Sequence, residues 1–263
     1  MTARRALAAL MLALLAAAQS RSGNRWAKYE AEMQDPVDDP PDAGEKTEFA
    51  FARLRYRANR DGWFGRARWG VDANKSERQF IQGLRRLTRV HARSIEQVVD
   101  IDSDDLFDWP WLYAVGVGDW KFSPSQAARL RHFFERGGFL MVDDFHNERE
   151  WAGFLAGIGQ VLPGRPVVEL EDRDIIFQTV YDLSNRVRVP GLNVVHGDQI
   201  ERGGVVPHWR GVVGDDGRVL VAICFNMDIG DAWEWADLPE YPEQYASLAY
   251  RIGVNYVIYA MTH

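Results

Sequence analysis

The sequence predicts an α/β fold: a three-layer sandwich around a mainly parallel sheet, with an antiparallel hairpin at one edge. Three observations predict it. Apolar runs alternate with helix-patterned segments, the order of a parallel sheet covered by helices. Two runs, Leu112-Tyr113-Ala114-Val115 and Phe139-Leu140-Met141-Val142, are continuous, as strands buried on both faces are. Asp216-Gly217, a dipeptide suited to a type I′ turn, separates two further runs.

The chain opens on a segment that reads as an address. Arg4 and Arg5 precede an apolar run from Ala6 to Ala18, too short to span a bilayer and suited to a secretory signal. Ala16-Ala17-Ala18 before Gln19 fits a small-residue cleavage site, and no Cys follows to carry a lipid anchor. The expectation is a signal peptide over 1–18 and export to the periplasm or beyond. An uncleaved signal segment is the one route to a membrane. Residues 19–46, with Asp35-Pro36-Val37-Asp38-Asp39-Pro40-Pro41-Asp42, mix turn formers with like charges and read as a flexible leader. Residues 47–263 are expected to form a single α/β domain.

With 31 basic and 38 acidic residues the net charge is −7. Loss of Arg4 and Arg5 makes the balance more acidic, the wrong sign for a general nucleic-acid binder. The single Cys224 precludes an internal disulfide, so the core must hold the fold. About 245 residues suffice for one.

Phe49 to Tyr56 makes the first strand, and a loop with Trp63, Phe64 and Trp69 follows. From Ser76 a helix places Phe80, Leu84 and Leu87 on one stripe. Ile95 to Ile101 is a short strand. The run at 112–115 stops at Gly116-Val117-Gly118-Asp119-Trp120. Ser123 with Gln126 forms a capping box, Pro124 takes the first helical position, and Gly137 releases the chain into the run at 139–142. That run ends in Asp143-Asp144-Phe145-His146. Asn147 with Glu150 starts a helix through Trp151, Phe154, Leu155 and Ile158, and Pro166 to Leu170 forms another strand. After the hairpin comes a polar stretch, Asn226 to Asp237. A last helix from about Glu243 carries Tyr245, Leu248, Ile252, Asn255 and Tyr259 on one face. A buried Asn255 needs hydrogen-bond partners and is expected to anchor a loop. There is no internal repeat.

These marks, taken in order, resemble the bacterial domain of unknown function 4159 family from about Phe49 to the end. They are the Phe51-to-Tyr56 strand, Asp105-Leu106-Phe107-Asp108-Trp109-Pro110, Gly137-Gly138-Phe139-Leu140 through Asp143-Asp144, Asn226 to Glu234, and Gly253-Val254-Asn255-Tyr256-Val257-Ile258-Tyr259-Ala260. The resemblance implies a flavodoxin-like sheet related to class I glutamine amidotransferases, and no established activity. Such folds often carry a His-Pro pair before Ile-Phe. This chain reads Asp174-Ile175-Ile176-Phe177, so any contribution from a His there is absent.

Amide hydrolysis on that fold needs a Cys on a sharp turn, activated by His. The 116–118 turn has neither Cys nor Ser, and Cys224 sits in an apolar strand, where a thiol is a small core residue. The polar groups worth weighing gather where strands stop, the ligand edge of open parallel sheets. Asp143, Asp144 and His146 are candidates for acid–base work, and Asp144, His146 and Asp228 the weaker candidates for a metal. The bland reading is that one Asp ties down loop N–H groups. Adjacent strand residues point to opposite faces, so both acids serve one ion only if the strand has ended. Gly116, Gly118, Trp120, Asp228, Asp231 and Trp233 are the candidate ligand-binding residues. The competing reading of 226–237 is a solvated acidic loop, and of Trp109, Trp111, Trp120, Trp233 and Trp235 a covering for the sheet edge. The Gly116-Val117-Gly118 spacing lacks a dinucleotide fingerprint's third Gly, so no nucleotide cofactor is expected.

Two functions are left standing. One is recognition of a small polar ligand, a glycan or a protein partner. The other is a hydrolase acting on carbohydrate or cell-wall material through carboxylates, with or without a metal. Convergence of Asp144, His146 and Asp228 or Asp231 on a concavity favours the enzyme; carboxylates wholly bound to loop N–H groups favour the first.

Overall fold

A computed structural model describes residues 38–58, 68–197 and 200–263. The expected signal peptide, most of the leader, and Trp63 and Phe64 lie outside the described residues. In chain order the elements are β1 (Ala52–Arg55), β2 (Arg57–Ala58), α1 (Lys75–Leu87), β3 (Gln97–Asp100), β4 (Trp111–Val115), β5 (Trp120–Lys121), α2 (Pro124–Glu135), β6 (Phe139–Phe145) and α3 (Asn147–Val161). Then come β7 (Val167–Glu169), α4 (Leu192–Val195), β8 (His208–Val213), β9 (Val219–Phe225), α5 (Ile229–Glu234) and α6 (Glu243–Thr262).

Seven strands form one sheet in the order β3-β1-β4-β6-β9-β8-β7, and β2 and β5 pair separately as a short antiparallel ribbon. β3, β1, β4, β6 and β9 are parallel; at the edge β8 runs antiparallel to β9, and β7 antiparallel to β8. Counted among themselves, the five parallel strands run 2-1-3-4-5, the flavodoxin-like order of doubly wound sheets. That order reverses between β1 and β4, and the crevice beyond the strand ends there is where such sheets bind ligands.

Each central strand is buried on both sides. Trp111, Tyr113 and Val115 of β4 face a core shared with α1, α5 and α6; Leu112 and Ala114 face a second core shared with α2 and α3. This explains the continuous apolar runs. Gln126 N–H donates to Ser123 Oγ at 3.2 Å and Ser123 N–H to Gln126 Oε1 at 3.0 Å, completing the expected capping box of α2. Among the described residues no helix is long and apolar enough to cross a membrane.

Three local expectations differ. Leu87 is 49 % exposed rather than on the buried stripe of α1, because the helix ends there and its last turn clears the sheet. The hairpin turn is not type I′, which needs two residues at positive φ. Only Gly217 is there (84°), and the turn spans Gly214 to Gly217, closed by Gly217 N–H to Gly214 O at 3.1 Å. The stretch 226–237 is no solvated loop: it holds the short helix α5 with Ile229, Ala232 and Trp233 fully buried.

Candidate functional site

β6 carries a bulge at its end. Val142 pairs with Ile223, but the next partners are Phe145 and Phe225, so one residue of β6 is extra. Asp144 takes the left-handed conformation there, with φ 49°. The bulge resolves the alternation problem, because Asp143 and Asp144 part company while the strand continues.

Asp143 turns beneath α5. Its Oδ2 accepts from Ile229 N–H at 2.7 Å, Gly230 N–H at 2.9 Å and Tyr113 Oη–H at 3.1 Å. The bland reading therefore describes this oxygen: it ties a neighbouring loop and helix start to the sheet. Burial first, and Asp144 second, push the Asp143 carboxyl up to about 8.

Asp144 turns toward the crevice. It accepts from Arg202, whose Nη2 also donates to the Asp144 backbone carbonyl at 2.9 Å, and its Oδ1 lies 3.3 Å from His146 Nε2. Burial works to raise this carboxyl, but Arg202, His146 and Arg68 outweigh it and hold it at about 2. His146 is fully buried, and burial lowers its pKa, keeping the ring neutral near pH 7. Its Nε2 is 3.9 Å from Glu201 Oε2, and its Nδ1 finds no hydrogen-bond partner among the described residues.

Two other loops complete the cluster. Arg53, fully buried on β1, pairs with Glu77 and donates to the carbonyls of Trp69 and Val71 at 2.8 and 2.9 Å. It thereby pins the segment that delivers Asp72. At the end of β9, Asn226 sits at φ 61° and Asp228 caps α5, accepting Asp231 N–H at 2.8 Å. Only glycine fits at 230, where a Cβ would lie 2.6 Å from Asp72 Oδ2 and 2.8 Å from Tyr113 Oη. α5 thus starts hard against Asp72.

Three groups result. Asp144, His146 and Glu201 each offer a ligand atom within 4.8 Å of the others; so do Asp72, Asp144 and Asp228, and so do Asp72, Asp231 and Glu234. Burial, then the neighbouring acids Asp231, Glu234 and Asp144, raises Asp72 well above the usual carboxylate range; burial, then Asp231, Asp144, Asp72 and Glu201, does the same for Asp228. Burial and Asp144 push Glu201 up to about 7. Burial brings Asp231 to about 6, although Leu192 N–H and Trp235 Nε1–H both donate to it.

The structure sorts the sequence candidates. Asp144, His146 and Asp228 lie in the cluster, and Asp231 at its border. Gly116 is at φ 61° with Arg68 packed across it, and Gly118 is pressed against Glu150. Trp120 and Trp233 are corrected as stacking surfaces. Trp120 is 4 % exposed, stacked 5.3 Å from Phe154, and Trp233 is fully buried 4.5 Å from Phe80. Both rings are more useful to the core, where each buries a large apolar area. Trp111 is buried too, while Trp109 and Trp235 are half-buried under Arg93 and Lys75.

Asp72, Glu201 and Arg202 escaped the sequence reading. Each comes from a loop far from Asp144 in the chain. An Arg buried in β1 and an Asp-Ala-Asn run before a helix were the only local signals for Asp72; Glu201-Arg202 before Gly203-Gly204 left none beyond a turn.

Beside the cluster opens a groove of about 590 Å³, lined by Trp151, Phe225, His208, Arg210, Asn147 and Asn226 among others. Arg210 lies 4.4 Å over the Trp151 ring and donates to Glu169 at 2.6 Å. The helix starts nearby are already satisfied from within. Glu150 Oε2 accepts His146 N–H at 2.7 Å, Asn147 Oδ1 accepts Glu150 N–H at 3.2 Å, and Asp143 and Asp228 cap α5. Among the described residues a phosphate finds no open helix terminus in this crevice, whereas a cation meets several acids.

The molecule is an α/β protein of the doubly wound type, with an acid-lined crevice at the carboxyl end of its parallel strands. It belongs to the family described as a domain of unknown function (DUF4159), whose model matches residues 50–261. Comparison with curated proteins finds no match.

Proposed function

We propose that this protein is a binding module that grips positive charge in its acid crevice and holds the remainder of a polar ligand, a glycan or a partner protein along the adjoining groove. One observation carries this reading: Asp72, Asp144 and Asp228, from three separate loops, bring carboxylate oxygens within 4.8 Å of one another while almost fully buried. Two ionised carboxylates that close repel by roughly 3–4 kcal/mol at an effective dielectric of 20. Protonation relieves that repulsion, and so does a cation. Arg202 already inserts one guanidinium beside Asp144, which supports a reading in which the crevice takes positive charge.

A hydrolase acting on carbohydrate or cell-wall material is the second reading; the gathering of His146 and Asp228 around Asp144 supports it, and Asp144, His146 and Glu201 would carry it. Two carboxylates and a neutral imidazole in contact are the parts of acid–base or metal-assisted water activation.

Thermal unfolding with Mg²⁺, Ca²⁺, Mn²⁺, Zn²⁺ and spermidine tests the cation reading. A ligand at 100 times its Kd adds about 2.7 kcal/mol, a Tm rise of roughly 5–10 °C for a chain this size. Asp228→Asn should abolish the rise. A flat response to all five additives would end the proposal.

A further inference from the structure

We infer that the crevice is built for two divalent cations with Asp144 as the carboxylate between them, one held by Asp144, His146 and Glu201 and the other by Asp72, Asp144 and Asp228. This inference rests on the cation reading of the same cluster and specifies its ligand. Asp144 is the one residue common to both groups, and the β6 bulge at φ 49° is what turns it into the space between them.

His146 points to a ligand independently of the acids. The ring is fully buried; among the described residues its one hydrogen bond lies inside the cluster and Nδ1 has no partner. Nε2 faces the gap between Asp144 Oδ1 at 3.3 Å and Glu201 Oε2 at 3.9 Å. The first contact is long for a charge-assisted hydrogen bond and the second is too long for any. Two ligand atoms each about 2.1 Å from a shared ion sit roughly 3.0–3.5 Å apart, so both His146 contacts lie within a few tenths of an ångström of that spacing.

Charge agrees. Once deprotonated, Asp72, Asp144, Asp228 and Glu201 would set four negative charges against two divalent ions. The third group is less able to take an ion, because both oxygens of Asp231 already accept hydrogen bonds, from Leu192 N–H and Trp235 Nε1–H. Oxygen ligands suit Mg²⁺ or Mn²⁺, and the imidazole suits Mn²⁺ or Zn²⁺; Mn²⁺ satisfies both halves. Arg202, bonded to the Asp144 carboxylate, is the group an incoming ion must displace. A bridged pair of this kind activates water for hydrolysis.

The test is titration of the full chain with Mn²⁺, followed by calorimetry and electron paramagnetic resonance. Two equivalents per chain with an exchange-coupled signal are expected. Glu201→Gln and His146→Gln should each retain one equivalent with an uncoupled six-line signal, and Arg202→Met should tighten binding by tenfold or more. Glu201→Gln keeps the side chain's size and its acceptor for Gly191 N–H, so it keeps the test sound if the buried His variant does not fold. A single uncoupled equivalent in the unaltered protein overturns the inference. Stabilisation by spermidine without Mn²⁺ uptake overturns it too, leaving the cation reading standing; a response to neither removes both.

Discussion

Asp143 Oδ2 lies 2.9 Å from the Gly230 amide nitrogen, joining the end of β6 to the first turn of α5 across 87 residues of chain. With Ile229 N–H and Tyr113 Oη–H on the same oxygen, the carboxyl holds the β9 loop, and with it Asp228, over the sheet. Replacing Asp143 with Ala strands three buried donors. The expected cost is about 3 kcal/mol in urea unfolding, with loss of any cation response, because Asp228 is no longer held. A stability change within 0.5 kcal/mol, about the surface-substitution range, would show that α5 holds itself.

Stability should fall with rising pH in protein kept free of metal by a chelator. Asp143, Glu201 and Asp231 have folded-state values of about 8, 7 and 6, above their ordinary ones. Between about pH 4 and 8 these three acids bind more protons in the folded than in the unfolded chain, outweighing His146, whose pKa burial lowers, and stability declines across that window. Asp144, held at about 2, acts oppositely: its contribution is present above pH 4 and lost as pH falls through 2. Scanning calorimetry should give a higher Tm at pH 5 than at pH 8. An equal or rising Tm would contradict the arrangement of acids described above.

Asn255, the one amide on the buried face of α6, should prove structural. Its Oδ1 accepts Val180 and Tyr181 N–H at 3.2 and 2.9 Å, and its Nδ2 donates to Tyr181 O at 2.9 Å. Asn255→Leu should cost about 3 kcal/mol and accelerate amide exchange at Val180 and Tyr181. Unchanged exchange there would mean the loop is anchored elsewhere.

Cys224 should be inert. It is fully buried, and burial pushes its thiol well above the usual range. An aromatic disulfide reagent should modify it only as fast as the chain unfolds; rapid labelling of native protein would reopen a thiol chemistry.

Much of the architecture could be read in advance because its signals are local. The capping box at Ser123, the glycine release at Gly137 (φ 91°) and the unbroken apolar runs of β4 and β6 each lie within a few residues. The helix at Asn147 was legible too, although its box is displaced: Glu150 reaches the His146 amide rather than that of Asn147. The crevice was half legible. Asp144 lies at the end of β6, and His146 and Asp228 follow strand ends, which the order of elements locates. Asp72 and Glu201 arrive through Arg53 and through the Gly191 N–H to Glu201 Oε2 contact, long-range bonds that spacing along the chain does not encode. Trp120 and Trp233 were misplaced for a related reason: composition counts indoles without saying which way they face.

Gly118 and Gly153 have a consequence beyond packing. A Cβ on Gly153 would come within 1.9 Å of the Gly118 carbonyl oxygen, so the two main chains meet with no side chain as a cushion. The middle of α3 and the turn after β4 touch main chain to main chain, so a shift of one presses on the other. A ligand that moves Glu150 would be felt directly by Arg68, whose Nη2 lies 3.3 Å from it, and through Arg68 at Gly116.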